Sequence, residues 1–176
     1  MKAFPRTIYS VALNGLKKIG SICKTEEKKE EFVDYFSCFP PKNSTEFLTR
    51  IGNRVTLAMN HVLTVDANDM IPTLCCSYHT VMKQVEESVD DYCKVKDGAK
   101  EETGKYFVNL INLALNDPLE LVCGTYANYD VCMKKIPNEM INISNATRWE
   151  LTKEFVSTPV VPVLKVVQQL DKDMNI

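Results

Sequence analysis

Hydrophobic positions recur every three or four residues along most of this chain, which is the spacing of one face of an α-helix. The clearest stretch extends from about Pro72 to Lys94. Its apolar positions are Leu74, Cys75, Tyr78, Val81, Met82, Val85, Val89, Tyr92 and Cys93. They cover more than one side of a helix, so we expect neighbouring helices on at least two sides and a central place in the fold.

Five further segments have helical periodicity and are separated by Pro, Gly or Asp-rich breaks. In chain order they cover residues 7–22, 26–39, 45–62, 99–116 and 119–136. Pro40-Pro41 should stop the second segment, and Ser44 or Thr45 should cap the third. Asn116-Asp117-Pro118 should separate the last two.

The C-terminal part has a weaker pattern. Residues 138–146 are polar and loop-like, Thr147 with Glu150 resembles a capping box, and the valine-rich segment after Pro159 is either helical or extended. The sequence therefore predicts an all-α bundle of six to eight helices. We expect residues 1–176 to form a single domain, with 138–176 as a peripheral C-terminal extension.

Composition and charge exclude several classes of protein. Hydrophobic residues make up 45% of the 176 residues and charged residues 25%, which are ordinary globular values. A net charge of −2 is unsuited to an electrostatic grip on nucleic acid, and no apolar run is long enough to span a membrane. The first residues lack the apolar block of a signal peptide, so we expect a removed signal peptide upstream of Met1.

Seven cysteines indicate an oxidised, secreted protein whose helices are joined by disulfides. The six predicted to pair are Cys38, Cys75, Cys76, Cys93, Cys123 and Cys132. Successive helical residues point about 100° apart, so Cys75 and Cys76 should bond to different helices. Cys23 is left over, either unpaired or paired with a cysteine outside this segment.

Two alternatives to the disulfide interpretation carry less weight. One is a cytosolic protein with buried free thiols. The other is a zinc site formed by Cys75, Cys76, His79 and His61, although no CxxC motif supports it. We predict no metal ion and no cofactor.

Three Asn-x-Ser/Thr sequons, at Asn43, Asn142 and Asn145, are candidate N-glycosylation sites. All three lie where we expect loops or helix starts, which is consistent with glycosylation. We expect Asn43 to be the best occupied, because Asn142 and Asn145 are close enough to compete.

Four motifs resemble a family of secreted, cysteine-rich, helical arthropod proteins of mostly unknown function. They are Cys75-Cys-Ser-Tyr-His, Cys93, Glu101-Glu-Thr-Gly-Lys-Tyr-Phe and Leu121-Val-Cys-Gly-Thr-Tyr. The resemblance covers about residues 8–135 and extends distantly to a nematode extracellular family. It implies secretion and an all-helical fold, and it implies no catalytic residue.

The chain departs from that family at two cysteine positions. The family often has one cysteine soon after the position of Cys38, and another eight residues beyond the vicinal pair. Residues 50–53 contain no cysteine, and Gln84 occupies the second position. The loss of both together is what the deletion of one disulfide would produce.

The sequence contains none of the common catalytic motifs, and we predict no catalytic residue and no enzymatic activity. His61 and His79 could act as acid–base groups, but structural or surface histidines are more common. Asp66-Ala-Asn-Asp69 lacks the Gly and Glu of a calcium loop and is better explained as a solvated connection.

Our first hypothesis for function is a secreted, non-enzymatic binding or interaction protein with an extracellular protein partner. The alternative is a carrier that holds a lipid or other small hydrophobic ligand in an apolar pocket of the bundle. Candidate lining residues for that pocket are Phe36, Met59, Tyr78, Met82 and Phe107. By default these residues belong to the core.

Overall fold

The described part of the computed structural model is helical and covers residues 13–15, 17–18, 20–39, 41–94, 102–148 and 160–173. A 3-10 helix, Ser21–Lys24, is followed by α1 (Glu26–Phe36), α2 (Pro41–Val62), α3 (Ala67–Lys94), α4 (Thr103–Cys123), α5 (Tyr129–Lys135), α6 (Pro137–Arg148) and α7 (Val160–Asp173). These ranges contain no strand. The predicted all-α, disulfide-linked fold is confirmed.

The chain divides into two compact units. The first comprises Met1–Thr45 and Gln84–Leu121, and the second comprises Glu46–Lys83 and Val122–Ile176. Each of the three disulfides lies within one unit. The single-domain organisation stays a prediction.

Aromatic side chains hold the first unit together around α1. Phe36 stacks on Phe32 with ring centroids 4.3 Å apart, and it contacts Phe107 of α4 at 5.6 Å. Tyr35 stacks on Tyr106 in the same way, at 4.0 Å. Stacked and tilted aromatic contacts of this kind add to the free energy gained by burying the rings. The aromatic face of this helix therefore packs against α4.

The start of α4 lies very close to the C-terminal part of α3 in the first unit. A Cβ atom on Gly104 would collide with the carbonyl oxygen of Glu86, so this position has no room for a side chain. The Gly104 amide donates to Asp90 Oδ1 at 2.7 Å, which satisfies a free N–H of the first turn of α4. Just before the helix, Glu102 has a φ of 61°, in the left-handed region.

The second unit has a core formed by α3, α5 and α6. Cys76, Cys132, Met140 and Ile143 form one buried cluster; packed against it are the partly buried Tyr126, Tyr129 and Ile136. Residues 138–146 were predicted to be a polar loop, and that prediction is wrong. They belong to α6, and this part of the supposed peripheral extension contributes to the core because its apolar residues are spaced at one helical turn.

Three predicted helix boundaries are corrected by the structure. The third predicted helix begins at Pro41 rather than near Ser44, since a proline needs no N–H partner in a first turn. The fourth begins at Ala67, so that Pro72 lies inside α3. Pro118 does not break α4, whose backbone continues to Cys123 before a turn leads to α5.

The remaining predictions concern the two ends of the chain. Residues 13–15, 17–18 and 20 are helical, and the rest of the predicted helix before residue 20 lies outside the described residues. Thr147 is not a cap: it lies inside α6, and its hydroxyl donates to the carbonyl of Ile143 at 2.8 Å. Any helix that this capping box would start falls on residues 149–159, which lie outside the described residues. The valine-rich segment is helical and buries Val166 and Leu170.

Candidate functional site

The vicinal cysteines determine the architecture of the second unit. Cys75 bonds to Cys123 at the end of α4, and Cys76 bonds to Cys132 in α5. The two sulfurs therefore connect α3 to two different helices. This agrees with the rotation of about 100° between successive residues of a helix. The zinc alternative is wrong, because both thiolates that it required are in disulfides.

The third disulfide, Cys38–Cys93, lies in the first unit and links the end of α1 to the end of α3. Cys23 is an exposed free thiol on the 3-10 helix. The six cysteines predicted to pair are the six that the structure joins.

A cleft of about 350 Å³ lies in the second unit, between the start of α3 and the junction of α5 with α6. We call it the α3–α6 cleft. One wall consists of Val65, Asp69, Pro72 and Thr73, and the other of Lys135, Ile136, Pro137, Asn138 and Glu139. Thr73 lies about one helical turn before Cys76, and Lys135 about one turn after Cys132. The Cys76–Cys132 disulfide therefore joins the two walls close to the cleft.

Glu139 is the most firmly positioned charged residue of the cleft. Its Oε1 lies 2.7 Å from His61 Nε2, and its Oε2 accepts a hydrogen bond from Asn142 Nδ2 at 3.1 Å. The carboxylate also lies in the first turn of α6, where the helix dipole favours a negative charge. The His61–Glu139 contact connects α2 to α6 and fixes the carboxylate at the edge of the cleft.

The other two charged lining residues differ in how they are held. Lys135 Nζ donates to the carbonyl oxygen of Thr125 at 2.8 Å and lies 5.0 Å from the centre of the Tyr126 ring. Asp69 lies in the first turn of α3 and is exposed; within the described part of the chain its carboxylate has no ion-pair or hydrogen-bond partner. The lysine therefore neutralises neither carboxylate directly.

His79 is held in a structural role. Its Nε2 lies 2.9 Å from the carbonyl oxygen of Tyr126, where a neutral imidazole donates its N–H. Burial lowers the pKa of His79, and the hydrogen bond to Tyr126 opposes that shift. The ring therefore stabilises the turn that follows Cys123.

The residues predicted to line an apolar pocket do not line this cleft. Phe36 and Phe107 contact each other in the first unit, whereas Met59 and Met82 are buried residues of the second. Tyr78 is also in the second unit, and burial raises its pKa to about 12. These five side chains are packed against other residues and do not border the cleft.

The cleft residues themselves were missed by the sequence analysis. Asp69 belongs to a predicted solvated connection, and Pro137 directly follows the predicted helical segment 119–136. No periodicity relates residues 65–73 to residues 135–139, because the cleft depends on the tertiary contact between α3 and the α5–α6 junction. The Pro137 break, five residues after Cys132, is the nearest signal in the sequence.

Two of the three sequons lie on α6, which corrects their assignment to loops. Asn142 and Asn145 are exposed and three residues apart, so their side chains share one helical face. Asn43 lies in the first turn of α2, which fits the expectation of a helix start.

Among the described residues, no helix is long and apolar enough to cross a membrane. In the same ranges, no group of three or more His, Cys, Asp or Glu side chains could hold a metal ion.

Comparison of the chain with protein-family models, with curated proteins and with solved structures gave no match. The resemblance to secreted arthropod proteins therefore stays a prediction.

Proposed function

We propose that this protein is a secreted, non-enzymatic binding protein whose α3–α6 cleft takes a small ligand. The observation that carries the proposal is the disulfide Cys76–Cys132, which joins both walls of a 350 Å³ cleft. Clefts of this size are typical of small-molecule sites, and fixed walls reduce the entropy lost on binding.

Secretion is supported by the three disulfides, since disulfides persist in oxidising compartments. The exposed sequon asparagines Asn142 and Asn145 are compatible with glycosylation in the secretory pathway. Purified from its native fluid, the protein should carry glycans and one free thiol per chain.

A lipid carrier is the weaker alternative. Three charged side chains, Asp69, Lys135 and Glu139, line the cleft, and burying them against an acyl chain would cost free energy. Those charges favour a small polar or amphiphilic ligand.

Hydrolysis is a second candidate, because His61 and Glu139 form a close imidazole–carboxylate pair beside the cleft. Such a pair assists catalysis when the imidazole also contacts a nucleophile. Within the described residues, the Glu139 carboxylate is the one side chain hydrogen-bonded to the His61 ring. The pair is better explained as a device that positions Glu139.

Native mass spectrometry of protein purified from its source tests the binding function. We expect a reproducible small-molecule adduct that is lost on denaturation. A bare polypeptide or glycopeptide mass in repeated preparations would contradict it. Turnover of ester or peptide substrates that disappears in His61→Ala would establish the enzyme instead.

A further inference from the structure

We propose that the α3–α6 cleft selects a small organic ammonium ion, an amine that carries a compact apolar group. This inference rests on the proposed binding function and specifies the class of ligand. It follows from the charge of the cleft, from an unpartnered hydroxyl in its wall and from its apolar surfaces.

The lining residues carry an excess of negative charge when His61, which contacts Glu139, is neutral. Asp69 and Glu139 each contribute a carboxylate, and Lys135 contributes a single ammonium group. That ammonium is directed to the Thr125 carbonyl and the Tyr126 ring. A ligand cation is therefore attracted to the two carboxylates, in a partly enclosed site where Coulomb interactions are stronger than in bulk water.

The position of Glu139 argues against an anionic ligand. The amide groups at the start of a helix attract anions, but the first turn of α6 already contains this carboxylate. His61 and Asn142 hold its two oxygens in place. An anion approaching the start of α6 would be repelled by a fixed negative charge.

Thr73 supplies an independent indication of a polar ligand. It is 1% exposed and belongs to the cleft wall, yet its Oγ1 has no hydrogen-bond partner within the described structure. The hydroxyls of Thr56, Thr80 and Thr147 all donate to the carbonyl four residues earlier, at 2.8–2.9 Å. A buried hydroxyl without a partner costs free energy, and a rotation of the Thr73 side chain that brought it to an ammonium N–H donor in the cleft would recover that cost.

The remaining walls select for an apolar substituent on the amine. Val65, Pro72, Ile136 and Pro137 surround the charged groups with hydrocarbon surface. A strongly hydrated inorganic cation would gain nothing from these side chains. A primary amine with a phenyl or short alkyl group gains both the ion pair and the burial of apolar area.

Isothermal titration calorimetry tests the inference with three ligands of similar size, one cationic, one neutral and one anionic. The probes are phenethylammonium, neutral phenethyl alcohol and anionic hydrocinnamate, each titrated into the oxidised full-length chain. We expect the amine to bind at least about tenfold more tightly than the other two, because the cleft charge discriminates among ligands of equal apolar area.

Matched variants locate the site. Asp69→Asn should weaken amine binding by about three- to tenfold, a range reduced by solvent screening at an exposed carboxylate. Thr73→Val, which keeps the side-chain shape, should also weaken it. Glu87→Gln removes an exposed carboxylate of α3 outside the cleft and should leave the affinity unchanged. Affinity in the parent should fall as salt is added.

Each other outcome overturns the inference. Equal or tighter binding of the alcohol or the carboxylate would preserve a binding function and reject the ammonium class. No heat with any probe at millimolar concentration would leave the cleft as a water-filled cavity. Amine binding that is unaffected by Asp69→Asn, in a variant with parental melting temperature, would place the site elsewhere.

Discussion

Cys75 and Cys76 are adjacent in the chain, yet their disulfides end at Cys123 and Cys132, which are separated by the turn between α4 and α5. The pair thus fixes the position of α3 against two elements at once. The second of these bonds also joins the walls of the α3–α6 cleft, so the same motif connects the fold to the candidate site.

Thiol labelling should distinguish Cys23 from the other six cysteines. Alkylation of the unreduced, denatured protein is expected to modify one site per chain, and Cys23→Ser should abolish the labelling, because the structure gives that residue alone an exposed free thiol. Intact mass measures the result. Labelling of three or more cysteines would contradict the disulfide assignment.

Removal of the Cys76–Cys132 bond should destabilise the protein strongly. The double variant Cys76→Ala/Cys132→Ala is expected to lose about 2–5 kcal/mol of unfolding free energy, since the bond closes a long loop and its sulfurs are buried. Denaturant titration gives the value. Cys23→Ser is the control. If the double variant lost as little unfolding free energy as Cys23→Ser, the Cys76–Cys132 bond would be dispensable for stability.

The close approach at Gly104 predicts a position-specific effect of alanine. Gly104→Ala places a Cβ against the Glu86 carbonyl, which is backbone and cannot move aside easily, so we expect a loss of about 1–3 kcal/mol. Gly20→Ala is the matched control, because a Cβ there meets nothing within 4 Å. Similar melting temperatures for the two variants would rule out the crowding at Gly104.

Val85 tests whether α3 is central, as its periodicity predicts. It is 0% exposed, and Val85→Asp would bury a carboxylate without a partner, with an expected loss of about 3 kcal/mol or more. Glu87→Ala, on the exposed side, should change stability by no more than about 0.5 kcal/mol. If both variants melted within a degree or two of the parent, α3 would be shown to be peripheral.

His79 should make stability depend on pH. Because burial lowers the pKa of His79 in the folded state, the unfolded chain binds more protons in the interval between that lowered pKa and the usual value of 6.5. Its contribution to stability is therefore complete above pH 6.5 and decreases as the pH falls through this interval. In His79→Gln, whose side-chain amide N–H can donate to Tyr126, this part of the dependence should disappear. If stability depended on pH in His79→Gln as it does in the parent, groups other than His79 would be responsible for that dependence.

Much of the fold could be predicted from the sequence because it depends on local physics. Spacing at three and four residues predicted the helices, and the 100° rotation between successive residues predicted that Cys75 and Cys76 bond to different helices. The aromatic face of α1 follows from the same periodicity.

Local signals failed where tertiary contacts outweighed them. Pro72 and Pro118 lie inside α3 and α4, although proline usually ends a helix. Residues 138–146 form a helix because the burial of Met140 and Ile143 offsets the weak helix propensity of the polar residues around them.

The candidate site was beyond the reach of the sequence. Asp69 and Thr73 approach Lys135 and Glu139 through the packing of α3 against the α5–α6 junction, and none of these residues has a distinctive local pattern. The sequence determined most of the helices and which six cysteines are in disulfides. The tertiary structure alone decided which charges share a cleft, because that depends on contacts between residues far apart in the chain.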